Sequence, residues 1–255
     1  MRGERWEWRG RLASARSHVA ARPDDLGARR ALASLLRGAA FDFVVGDADD
    51  LGHEQALGFA AESVGLCRRV CDALPDDPDV LTELFFALHA QAELLSSRDR
   101  SAAVAAYWEA AVVGQRRLAL DPDADQVRLE LSWTLRDAGS LMSGDPGEAT
   151  ALLDQAVELA RAHLASRPGD VGATRELGWV LMVAAEHVAP SDPPKALALY
   201  RESVLTATQV HDARPGDEEA RGDLWLALTA VADLLEENDR EAAEAIRAHA
   251  QEWSA

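Results

Sequence analysis

The amino-acid sequence predicts an all-α protein, a helix-hairpin solenoid of about eleven helices. Three observations predict it. Ala, Leu, Arg and Glu dominate the 255 residues, and β-branched runs are few. A Pro-Asp or Pro-Gly turn recurs at Pro23, Pro75, Pro122, Pro168 and Pro215, with spacings of 52, 47, 46 and 47. Leucines then stand at fixed distances from each proline.

The chain starts with a half-repeat over residues 4–21, in which Trp8, Leu12, Ala15 and Val19 mark one helix face. Each turn then stops one helix and starts another, because proline cannot continue a helix and aspartate can cap the next. The first helix of each repeat carries Leu32, Leu84, Leu131, Leu177 or Leu224 nine residues after the proline. Leu36, Leu88, Leu135, Leu181 and Leu228 follow four residues later, so each pair forms an apolar ridge. Ala40, Ala92, Gly139, Ala185 and Ala232 come seventeen after, where small side chains let a second helix approach. That second helix opens at Ala56, Ala103, Ala149, Ala196 or Ala243. Four interhelix loops read as short. Asp42–Gln55, holding the extra residues of the first interval, reads as a longer one. One repeat domain, 1–255, is expected, with repeats at about 23–74, 75–121, 122–167, 168–214 and 215–253.

Leu177-Gly178 with Leu181, Ala196 and Pro215 makes the chain similar to an extended tetratricopeptide (TPR) repeat array, from about Trp8 to Ala250. The departures are consistent. Arg29, Leu81, Arg128, Thr174 and Arg221 hold the family's Trp place, Leu holds its Tyr place, and the unit is about 47 residues rather than about 34. Longer units of this kind look like repeats appended to some bacterial signalling proteins. The resemblance implies a right-handed superhelix that binds a protein or peptide on its concave face and carries no catalysis. Fold alone does not settle function.

Charge narrows the partners. With 26 Lys+Arg against 44 Asp+Glu the net charge is −18, which disfavours nucleic acid and anionic membrane and leaves basic proteins or peptides. No run reaches the roughly 18 apolar residues of a membrane span, and the N-terminus lacks an apolar signal stretch, so a cytoplasmic location is expected.

The position eleven after each proline lies about 200° from the first leucine of the ridge. Ser34, Phe86, Trp133, Trp179 and Leu226 occupy it, and three consecutive large aromatics on a wet face suggest a contact surface. Arg30 and Arg175 flank it seven after the proline, and Arg37, His89 and Arg136 fourteen after. Phe86, Trp133 and Trp179 are expected to anchor a partner whose carboxylates or carbonyls the arginines fix, with His89 on the same face. The spacing leaves internal packing or a homodimer seam open for the same row.

Chemical motifs are weaker. Cys67 and Cys71, i and i+4, read as small core hydrophobes rather than metal ligands, since other repeats place small or apolar residues there. Asp121-Pro-Asp123-Ala-Asp125 begins like a calcium loop, but Gln126 replaces its glycine and Ser132 its closing glutamate. No catalytic residue, metal site or cofactor is expected. The expected function is a non-catalytic protein- or peptide-binding adaptor or scaffold. A self-associating regulatory module, or an enzyme or small-molecule sensor with an interhelical pocket, are the alternatives.

Overall fold

The computed structural model describes residues 4–45, 50–142, 145–236 and 239–253. Among these residues the fold is all-α, with eleven helices and no strand. They are α1 Glu4–Ala21, α2 Leu26–Val45, α3 Asp50–Ala73, α4 Pro78–Ser96, α5 Arg100–Leu120, α6 Asp125–Leu141, α7 Pro146–Ser166, α8 Val171–Val188, α9 Pro193–Ala213, α10 Glu218–Leu235 and α11 Arg240–Gln251. Their order is that of a repeated helix hairpin, with chain neighbours packed on one another within each unit. None is long and apolar enough to cross a membrane.

Local chemistry starts and stops each helix. Asp77, Asp170 and Asp217 cap α4, α8 and α10 after the proline turns, their carboxylates accepting backbone N–H groups of the first turn. Asp99, Asp145, Asp192 and Asp239 do the same for the second helices α5, α7, α9 and α11. Gly169 takes a φ of 83°, a left-handed conformation that glycine adopts at little cost. The Asp121–Asp125 segment is an interrepeat turn, in which the Asp121 carboxylate accepts from the Asp123 amide at 3.2 Å.

The contacts divide the chain into two compact units, residues 1–127 and 128–255, with the boundary in the first turn of α6. In the first unit α1 packs on α2, α2 on α3 and α4, α3 on α4, and α4 on α5. All four of its ridge leucines are buried, and Phe85 is fully enclosed. In the second unit α7 packs on α8, α8 on α9, α9 on α10 and α10 on α11. Its six ridge leucines are buried as well. The small-residue positions allow close helix approach. A Cβ on Gly139 would come within 2.8 Å of Leu153, and every alanine that opens a second helix is buried.

The loop expected over residues 42–55 is mostly helix. Residues 42–45 extend α2 and 50–55 begin α3, while 46–49 lie outside the described residues. Tertiary contacts overrode the polar composition. Asp42 accepts a 2.7 Å hydrogen bond from the Trp8 indole, and His53 Nε2 lies 2.9 Å from the Leu94 carbonyl oxygen. Ala40, Ala56, Ala60 and Leu94 form a core cluster that both extended helices must reach.

Candidate functional site

An acid stands eight residues after four of the five repeat prolines, Glu83, Glu130, Glu176 and Asp223, and within each unit such acids tie neighbouring first helices. Arg30 in α2 reaches Glu83 in α4 through three hydrogen bonds of 2.8 to 3.0 Å. The Trp133 indole in α6 donates to Glu176 in α8 at 2.8 Å. Arg175 in α8 reaches Asp223 and Glu219 in α10, each at 2.7 Å. Second helices have their own row, Arg16 to Glu62, Arg68 to Glu109 and Arg161 to Glu202. Each such exposed pair contributes about 0–1 kcal/mol and chiefly fixes register.

The expected site residues therefore sit as follows. In the first unit, Phe86 is half-buried against Phe85, and the Arg37 guanidinium lies over its ring at 5.4 Å. His89, expected on the outer face, is buried instead. Its ring meets Tyr107 of α5 edge-on at 5.5 Å, and Glu93 lies 3.6 Å from its Nε2. In the second unit, Arg136 pairs with its neighbour Asp137 at 2.7 Å. Trp133 is half-buried by its bond to Glu176, whereas Trp179 stays 38% exposed. Arg30, Arg136 and Arg175 thus already hold carboxylates of this chain.

Trp179 stands at a small cleft between α8 and α10, floored by α9. Met182, Val210 and Leu226 give it apolar walls, and Arg175 with Asp223 closes one side. The Ser203 hydroxyl donates to the Gly178 carbonyl oxygen at 3.1 Å and that of Thr206 to the Ser203 carbonyl oxygen at 2.8 Å, so the floor is satisfied. Gly178 lets α8 approach α9 closely beneath the cleft, since a Cβ there would lie 2.7 Å from Thr206 Oγ1. Burial pushes the Asp223 carboxyl above its ordinary pKa, against the pull of Arg175.

The first unit has a counterpart in the same register, between α2 and α4 over α3, lined by Ala33, Ser34, Arg37, Ser63, Cys67 and Glu83. Ser63 donates to the Ala33 carbonyl oxygen at 2.9 Å, as Ser203 does to that of Gly178. Burial pushes the Cys67 thiol up to about 11, so it stays a neutral thiol. Cys71 is half-buried, and both cysteines are free. Among the described residues no three His, Cys, Asp or Glu side chains form a metal-binding group.

Sequence reasoning missed the acidic row, although its constant offset in four repeats was a readable signal. It also missed the cleft, which depends on Gly178 and Met182 as much as on Trp179.

No protein-family model and no curated protein matches the chain. Among solved structures it is similar to the MamA RS-1 ArsTM double mutant, at 14% identity and TM-score 0.47 over 87% of this chain and 94% of that one. It is also similar to MamA 41-end from Desulfovibrio magneticus RS-1, at 15% identity and TM-score 0.43 over the same shares. A de novo designed helical repeat protein, DHR64, aligns at 17% identity and TM-score 0.33 over 90% of this chain and 99% of its own.

Proposed function

We propose that this chain is a non-catalytic adaptor or scaffold that holds a protein or peptide segment on the face of its first helices. The exposed Trp179 beside an apolar cleft carries the reading. Monomeric proteins seldom leave a large aromatic at the mouth of a built depression, and Trp dominates binding energy at interfaces. Leu226 of α10, 36% exposed, adds apolar area across the cleft from Trp179. The arginines of this face orient the acidic row rather than wait for a partner's carboxylates, so affinity falls to the apolar anchors.

The test is affinity capture with the intact protein and with its Trp133→Ala/Trp179→Ala variant. The variant is expected to lose its partner while keeping its helical signal. Equal recovery of every partner by both forms would contradict the proposal.

A further inference from the structure

We infer that the groove between α8 and α10 takes a basic amphipathic peptide, whose apolar side chain enters beside Trp179 and Leu226 while a neighbouring lysine or arginine reaches Glu186 and Asp233. This rests on the adaptor reading and adds the chemistry of the partner.

The geometry begins with continuity. A second opening between α8 and α10 is lined by Glu186, Tyr200, Thr229 and Asp233, and it shares Met182 and Leu226 with the Trp179 cleft. The two depressions thus adjoin across Met182 and Leu226, apolar at the Trp179 end and bordered by Glu186 and Asp233 at the other. Glu186 is exposed and forms no hydrogen bond or ion pair among the described residues. Asp233 binds Arg247 of α11 at 2.8 Å, and Arg247 also pairs with Glu236. Arg247 thus finds its partners at the end of α10, on Asp233 and on the cap residue Glu236.

Charge then selects the occupant. Among the described residues Glu186, Asp223 and Asp233 line the two openings, the one cation lining them, Arg175, is held by Asp223 and Glu219, and Arg247 holds Asp233. The field is felt inside. Burial, then Glu186 and Asp233, push the Tyr200 hydroxyl up to about 12. An acidic segment would add like charge to this surface and to a chain of net charge −18. A cation beside an apolar group satisfies both ends of the groove. The first unit's counterpart lacks this design, because Arg37 covers Phe86 and puts a positive charge in the equivalent cleft.

The test uses the full chain and three short fluorescent peptides of equal length, one of alternating Leu and Arg, one of Leu and Glu, and one of Ser and Arg. The Leu-Arg peptide is expected to bind in an anisotropy titration, and the other two at least about tenfold more weakly. Trp179→Ala is expected to lower its affinity about tenfold or more. Glu186→Gln is expected to weaken binding and flatten its salt dependence. Glu54→Gln, an equal loss of charge at an exposed position of α3, is expected to change nothing. Equal binding of the Leu-Glu or Ser-Arg peptide, or equal effects of Glu186→Gln and Glu54→Gln, would overturn the inference. If no Leu-Arg binding occurs while affinity capture still returns a Trp179-dependent partner, the basic-peptide inference falls and the adaptor reading stands.

Discussion

The clefts of the two units share a frame and differ in filling. Both have an arginine seven after the proline bonded to an acid eight after the next: Arg30 with Glu83, and Arg175 with Asp223. Both have a floor serine bonded to a carbonyl oxygen, Ser63 with Ala33 and Ser203 with Gly178. The filling is polar in the first unit, with Ser34, Arg37 and Cys67. It is apolar in the second, where Trp179, Met182 and Ala207 hold those places. Leu226 stands where the first unit has Phe86 beneath Arg37. Repeat geometry is thus carried by the constant polar frame, and individuality by a few positions that point into the space between first helices.

The largest effect should come from the core and should not distinguish the units. Phe85→Ala in the first is expected to cost about 3–5 kcal/mol and Leu181→Ala in the second about 2–5 kcal/mol, read by denaturant unfolding. A cost below about 1 kcal/mol at either site would show that one unit is loosely packed. Gly178→Ala tests the difference between the clefts. Alanine is native at the equivalent Ala33, but at Gly178 its Cβ would meet Thr206 Oγ1 at 2.7 Å. We expect a loss of about 1–3 kcal/mol, partly restored by adding Thr206→Ala. An unchanged melting temperature for Gly178→Ala would mean that the floor is no tighter there than in the first unit.

Smaller effects concern the helix ends that hold the second cleft. Asp192→Ala, removing the cap of α9, is expected to cost about 1 kcal/mol in thermal unfolding. Asp170 and Asp217 cap α8 and α10, and backbone N–H groups hold both carboxyls below their ordinary pKa. Their contribution is therefore present above the usual carboxylate range and is lost as pH falls through the lowered values. Asp217→Asn should flatten the acid limb of a melting-temperature profile, and an unaltered limb would show that the cap carries no pH-dependent stability.

Much of the fold was legible because the repeat samples each position five times. The leucine ridges and helix-opening alanines need only a constant offset from proline, and all of them are buried. Residues 42–55 were not legible, since their Asp and Gly content reads as loop until the contacts of Asp42 with Trp8 and His53 with Leu94 are known. His89 shares a helical angle with Arg37 and Arg136, and its burial reflects the approach of Tyr107 and Phe85. The site was legible as a row of aromatics, but not in its partners. Arg30 finds Glu83 across 53 residues and Trp133 finds Glu176 across 43, separations at which helical periodicity says nothing.

Hydrogen exchange on the intact protein, with and without the Leu-Arg peptide, compares the two clefts in one measurement. We expect added protection along α8 and α10 and none along α2 and α4. Protection centred on α2 and α4, or spread equally over both pairs, would contradict the assignment of binding to the apolar cleft.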